Sequence, residues 1–141
     1  MQHGLSMSSL RFHHIGIAVP DLDAAVASYE KLLGCRLIDG PYEDPVQKAR
    51  VCFLNTPEAG HPTIECVAPA SPDSHVHRLI GKGAGAYHLC YEVPDLAAAL
   101  ETARAAGCLL VSGPVPAVAF GGRSIAWLYA PSRTLLELVE R

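Results

Sequence analysis

The feature that most constrains the fold of this chain is an internal repeat. The segment "HIGIAVPDLDAAV", which begins at His14, matches "HLCYEVPDLAAAL", which begins at His88. The same alignment continues through "GCRLIDGP" and "GCLLVSGP", and later through "IECV" and "LELV", with only short shifts between them. A chain of 141 residues allows one compact domain, so two copies of a module must share it.

Each copy of the repeat has the same predicted order of elements. The apolar runs "HHIGIAV" and "YHLCYEV" have the length and residue types of strands, and they end at Pro20 and Pro94. Asp21 and Asp95 follow as predicted N-caps of helices rich in Ala and Leu. Three further strand-like segments follow each helix. The predicted fold class is therefore α+β, with two tandem βαβββ modules.

The module boundaries divide the chain into four predicted segments within one structural domain. The opening "MQHGLSMSSL" lacks a basic start followed by an apolar run, so it is interpreted as a flexible leader rather than a secretory signal. The predicted segments are the leader (1–10), the first module (11–70), a short helix with a Gly-rich linker (71–86) and the second module (87–141).

The alternation of side chains along the strands selects four candidate metal ligands. Large apolar residues are expected beneath the helices, which leaves His14 and His88 on the opposite face of their strands. By the same count, Glu65 and Glu137 project from that face of the last strand of each module. Buried carboxylates without compensation are costly, and a divalent ion offsets that cost. The alternative interpretation is that these residues recur only because the module was duplicated and that they bind no metal.

The donor set indicates which metals and which kind of site to expect. Two imidazoles and two carboxylates suit Co²⁺, Ni²⁺, Zn²⁺, Mn²⁺ or Fe²⁺, and geometry decides among them. Four protein ligands leave positions open on an octahedral ion, which is typical of a catalytic site rather than a closed structural one.

Charge and cysteine content narrow the classes of partner and compartment. A formal net charge of −3 argues against nucleic acid or an anionic membrane as the main partner. No apolar run approaches the roughly 20 residues of a membrane span. The five cysteines are odd in number and form no C-x-x-C pair, which indicates reduced thiols in a cytoplasmic protein.

These motifs resemble the vicinal oxygen chelate superfamily from about Arg11 to the C-terminus. "HIGIAVPDLDAAVASYEKLLG", "IECVAPASPDS", "YHLCYEV" and "LLELVE" are most similar to segments of methylmalonyl-CoA epimerases and their glyoxalase-like relatives. The resemblance implies a cupped mixed sheet around a metal cleft, with the ligands at His14, Glu65, His88 and Glu137.

The resemblance also implies a reaction. A metal would chelate two neighbouring oxygens of the substrate and stabilise the enolate formed when an adjacent C–H proton leaves. Glu137 is expected to move that proton, with Glu65 as its pseudo-symmetric alternative. The expected function is epimerisation or isomerisation of a 2-substituted acyl thioester, by a protein expected to form a homodimer.

Two departures from the epimerase pattern keep other functions open. Some epimerases place a glutamate where Val51 stands, and Gln47 and Lys48 are the polar residues nearby. "LYAPSRTLLEL" is shorter than the corresponding segment of those epimerases and lacks its "HPK" and glycines. The alternatives are a glyoxalase-type lyase or another metalloenzyme of the superfamily acting on a small carbonyl substrate, and a non-catalytic binding protein of the bleomycin-resistance type.

Overall fold

The fold is described from a computed structural model that covers residues 10–56, 58, 60–83 and 85–141, so the predicted leader up to residue 9 lies outside it. Contacts between Cα atoms group the chain into two compact units. The first unit is His14–Tyr87, and the second unit combines residues 10–13 with His88–Arg141.

The first unit contains the βαβββ order expected of the first module. Its elements are β1 (Arg11–Ala18, shared with the second unit at its start), α1 (Leu22–Leu33), β2 (Arg36–Asp44), β3 (Ala49–Asn55) and β4 (Thr63–Pro69). The strands lie in the order β2-β3-β4-β1, with β1 parallel to β4 and the other pairs antiparallel. A short helix α2 (Val76–Gly81) follows, where the sequence predicts one before the linker.

The second unit repeats this plan. Its elements are β5 (Ala86–Val93, whose first two residues belong to the first unit), α3 (Leu96–Ala105), β6 (Leu109–Pro116), β7 (Ser124–Tyr129) and β8 (Leu135–Glu140). The strand order is β5-β8-β7-β6, with β5 parallel to β8 and antiparallel pairs elsewhere. Across the described ranges the chain has eight strands and three α-helices. The predicted α+β class with two βαβββ modules is confirmed.

Both long helices begin at the aspartates that the sequence selects. The Asp21 carboxylate accepts hydrogen bonds from the backbone N–H groups of Asp23 and Ala24, and the Asp95 carboxylate accepts one from Ala98. These bonds satisfy N–H groups that have no partner within the helix. Helix α1 ends at Gly34 in the left-handed conformation, as a C-terminal glycine should.

The apolar side chains pack between the helix and the sheet in each unit, as strand alternation predicts. In the first unit Ile64, Cys66 and Ala68 of β4 belong to the cluster beneath α1. In the second unit Leu136 and Leu138 of β8 belong to the cluster beneath α3. The glutamates between these residues therefore belong to the other face of each sheet.

The start of β1 packs with the second module rather than the first. Leu10 lies against the core of the second unit, and the Phe12 ring meets the Tyr91 ring edge to face at 5.3 Å. None of the helices in the described part of the chain is both long and apolar enough to cross a membrane.

Candidate metal centre

In the first unit, the parallel pairing of β1 with β4 brings a histidine to a glutamate. Gly16 is the register partner of Glu65, and His14 stands two residues earlier on the same face of β1. The His14 Nε2 atom lies 3.2 Å from Oε1 of Glu65. His14 is fully buried and Glu65 is 5% exposed, so this pair is held out of water.

In the second unit, β5 and β8 build the same arrangement. Cys90 is the register partner of Glu137, and His88 stands two residues earlier on β5. The His88 Nε2 atom lies 3.5 Å from Oε1 of Glu137, and Glu137 is 4% exposed. The two units therefore contain equivalent buried His–Glu pairs, in the same strand register and joined by the same atoms.

An aromatic ring accompanies each pair, and neither ring was predicted from the sequence. Phe53 of β3 is the register partner of Glu65, and its ring meets the His14 imidazole edge to face at 5.3 Å. Trp127 of β7 is the register partner of Glu137, and its ring meets the His88 imidazole at 4.8 Å. The repeat does contain one indication of them, since "CFL" and "AWL" place an aromatic residue at equivalent positions in the third strands of the two modules.

The chemistry of these donors fits a divalent cation of borderline hardness. An imidazole nitrogen and a carboxylate oxygen side by side are two ligands of the kinds that Zn²⁺, Co²⁺, Ni²⁺, Mn²⁺ and Fe²⁺ accept. Burial of a carboxylate is expensive, and a nearby cation is one of the few groups that offset that cost. Each pair on its own supplies half of the ligand set that the sequence predicts.

The cysteine beside Glu65 is not placed to join that donor set. Cys66 packs beneath α1, opposite Glu65, and pairs in register with Cys52 of β3. A hydrogen bond between the two thiols, together with burial, raises the pKa of the Cys66 thiol. All five cysteines are free thiols, as predicted.

The two polar residues proposed near the epimerase glutamate position are engaged elsewhere. The Gln47 side chain accepts a hydrogen bond from the Tyr87 hydroxyl at 2.9 Å and donates one to Asp44 at 2.9 Å. Lys48 forms an ion pair with Asp73, and with the Ser71 hydroxyl it lowers the pKa of that carboxyl to about 2.

Arg123 is likewise committed within the second unit. Its guanidinium donates to Glu92 at 3.1 Å and to the backbone oxygen of Glu140 at 3.2 Å. It also lies over the Phe120 ring, 5.3 Å from the ring centre. These contacts tie the turn before β7 to the ends of β5 and β8, which is a structural role.

Comparison with known proteins gives relatives along most of the chain. A Cereibacter sphaeroides ethylmalonyl-CoA/methylmalonyl-CoA epimerase is 31% identical over 121 residues, which is 84% of this chain and 87% of that protein. Methylmalonyl-CoA epimerase from Mycobacterium tuberculosis has a solved structure with a TM-score of 0.79 and 30% identity, covering 98% of this chain and 93% of that one. A Streptomyces coelicolor methylmalonyl-CoA epimerase variant, solved with 2-nitronate-propionyl-CoA, has a TM-score of 0.75 and 28% identity over 94% of both chains.

The model of one protein family covers most of the chain. The family described as glyoxalase/bleomycin resistance protein/dioxygenase superfamily matches residues 13–127. That match includes His14 and Glu65 of the first His–Glu pair and His88 of the second. On this match and on the C. sphaeroides relative, the chain belongs to the glyoxalase/bleomycin resistance protein/dioxygenase superfamily.

Proposed function

We propose that this protein is a metal-dependent epimerase or isomerase of a 2-substituted acyl thioester. The observation that carries the proposal is the buried His–Glu pair that recurs in equivalent register in both units. The proposed substrate class comes from the similar proteins, since epimerases of methylmalonyl-CoA align with nearly the whole chain.

The metal would be held by His14, Glu65, His88 and Glu137 together. Duplication of one module supports this assignment, because each copy contributes one imidazole and one carboxylate in the same geometry. The ion would be Co²⁺, Ni²⁺, Zn²⁺, Mn²⁺ or Fe²⁺. When bound, it would supply Lewis-acid stabilisation of the negative charge that develops on the substrate oxygens.

Glu137 would carry out the proton transfer. Its carboxylate takes the proton from the carbon between the thioester carbonyl and the 2-substituent, and the electron pair of the C–H bond delocalises onto the thioester oxygen. A second acid on the opposite face of that carbon must then deliver a proton to it to give the epimer, and Glu137 releases the proton it took to solvent once the product has left. Burial of Glu137 beside His88 and Trp127 excludes water, which strengthens electrostatic interactions with the substrate. Glu65, in the equivalent place, is the second candidate for this role.

A glyoxalase-type lyase, or another metalloenzyme of the superfamily that acts on a smaller carbonyl compound, is the second candidate function. The observation that favours it is the short turn between β7 and β8. That turn is closed by the hydrogen bonds Ala130 N to Thr134 O, at 3.0 Å, and Arg133 N to Ala130 O, at 2.8 Å. Such a compact connection offers little loop surface for a large acyl carrier.

We also propose that the protein acts as a cytoplasmic homodimer. The outer strand of each unit exposes a pair of apolar side chains at equivalent places, Leu37 with Ile38 on β2 and Leu110 with Val111 on β6. Pairing of such edges between two copies would remove apolar surface from water. Free thiols at all five cysteines suit a reducing compartment. Light scattering of wild type and of Ile38→Lys tests the dimer, which the substitution should dissociate.

The experiment that tests the function is α-proton exchange in D₂O. Protein reconstituted with Co²⁺ is incubated with methylmalonyl-CoA, and deuterium incorporation is followed by NMR. We expect exchange by wild type and a rate lower by about 10²–10⁴-fold for Glu137→Gln. Glu101→Gln is the matched control, because Glu101 is an exposed glutamate whose partner is Arg104 on the same helix.

Three outcomes separate the candidates. Exchange that depends on Glu137 supports the epimerase. Absence of exchange with 2-substituted acyl thioesters, together with thiol-dependent isomerisation of an α-ketoaldehyde, would replace it with the lyase. Failure of wild type to bind Co²⁺, Ni²⁺ or Zn²⁺ after reconstitution would exclude both enzymes and leave a binding protein.

A further inference from the structure

We propose that Phe53 and Trp127 are positioning residues that fix the orientation of the His14 and His88 imidazoles. The proposal deepens the proposed function, because it names the groups that would set the geometry of the metal ligands. It rests on contacts within each unit and holds for the protein without a metal.

The strand order explains why these rings meet. In the first unit β4 lies between β3 and β1, so Phe53 and His14 are two strands apart, or about 9–10 Å between backbones. Their ring centres are nevertheless 5.3 Å apart, so both side chains lean over the strand that carries Glu65. The Trp127 and His88 rings do the same over the Glu137 strand, with 4.8 Å between ring centres.

The geometry of the two ring contacts is of the favourable edge-to-face kind. The interplanar angle is 67° for Phe53 with His14 and 83° for Trp127 with His88. Such contacts place the positive edge of one ring on the negative face of the other. Rotation of an imidazole about its Cβ–Cγ bond would disrupt this contact, so the rings hold the nitrogen that faces the glutamate in place.

Burial adds to the restraint. Phe53 is 2% exposed and Trp127 is 7% exposed, so both fill their side of the His–Glu pair with apolar surface. A packed ring leaves the imidazole no room for another rotamer on that side and keeps water away from it. Groups that orient a ligand without touching the metal affect metal affinity strongly.

The variants that test the proposal are Phe53→Leu and Trp127→Leu, which remove the ring and keep an apolar side chain. Trp127→Phe is the conservative variant and should restore the wild-type behaviour. Leu54→Val and Leu128→Val are matched controls, because each is the next residue on the same strand and belongs to the core beneath the helix.

Two measurements are made on each variant. The first is the NMR spectrum of the imidazole protons and nitrogens in metal-free protein. We expect nuclear Overhauser contacts of the imidazole protons to show a second orientation of the His88 ring in Trp127→Leu and of the His14 ring in Phe53→Leu, beyond the shift change that loss of the neighbour's ring current produces by itself. The second is Co²⁺ affinity by competition with a chromogenic chelator, which should fall by about 10-fold or more in both Leu variants and stay unchanged in the Val controls.

The outcomes distinguish this proposal from the proposed function. If wild type binds no Co²⁺, the shared metal site is refuted, and the imidazole spectra still decide whether the rings position the histidines. If the Leu variants keep the single wild-type orientation of the imidazoles, or the Val controls change that orientation and Co²⁺ affinity equally, the positioning role is refuted.

Discussion

Replacement of three glycines by alanine should lower stability in a fixed order set by the space around each Cβ position. Gly34, Gly40 and Gly113 all have positive φ angles, of 69°, 94° and 95°. A Cβ at Gly34 would meet no atom within 4 Å, whereas one at Gly40 would lie 3.0 Å from the backbone oxygen of Val51. At Gly113 it would lie 2.6 Å from the backbone oxygen of Ile125.

The magnitudes follow from two effects. A positive φ costs a non-glycine residue roughly 1–2 kcal/mol, and this is the whole effect at Gly34. At Gly113 the contact is closer than real Cβ atoms tolerate, so β6 and β7 must separate locally, which we expect to bring the total to about 3 kcal/mol or more. A Cβ at Gly40 would lie at the shortest distance that Cβ contacts tolerate. The loss of stability in Gly40→Ala should therefore fall between those of the other two variants, at about 2 kcal/mol.

Thermal unfolding followed by circular dichroism measures this order. At roughly 3–4 °C per kcal/mol for a chain of this size, Gly34→Ala should lower Tm by about 4 °C and Gly113→Ala by about 10 °C or more. Equal losses in all three variants would show that φ alone determines the cost. A smaller loss for Gly113→Ala than for Gly34→Ala would refute the steric argument altogether.

Three further predictions concern the metal, a strained turn and pH. Co²⁺ at about 100 times its Kd should raise the free energy of unfolding of wild type, measured by chemical denaturation, by about 2.7 kcal/mol. An equal gain in His88→Ala would contradict the shared site. Arg133 has a φ of 69° in the turn before β8, so Arg133→Gly should stabilise by about 0.5 kcal/mol in the same assay, while Ser132→Gly should not. Partial desolvation lowers the pKa of His75. The imidazole therefore takes up a proton more readily in the unfolded chain than in the folded protein, and the stabilising contribution present above pH 6.5 is lost as pH falls below it. Tm of His75→Gln should consequently fall less than that of wild type between pH 7.5 and 5, and parallel curves would show that His75 contributes nothing.

The order of elements, the helix ends and the two faces of each sheet followed from the sequence alone. Local physics sets these features, since strands alternate their side chains and aspartates cap helices through neighbouring N–H groups. Because the same pattern occurs in both modules, the sequence alone places His14 and His88 on the same face of equivalent strands. Glu65 and Glu137 were placed by the same reasoning.

The partners of those residues depended on the tertiary structure. Alternation assigns a side chain to a face and leaves open which strand lies beside it. The choice of β4 as the neighbour of both β1 and β3 put Glu65 between His14 and Phe53, and β8 did the same for Glu137. The repeat places Phe53 and Trp127 at equivalent positions of predicted strands, but it does not say that either ring contacts a histidine. Only the pairing of strands distant in the chain brings an imidazole, a carboxylate and a ring into one buried cluster, because such neighbours are fixed by packing of the whole sheet rather than by local pattern.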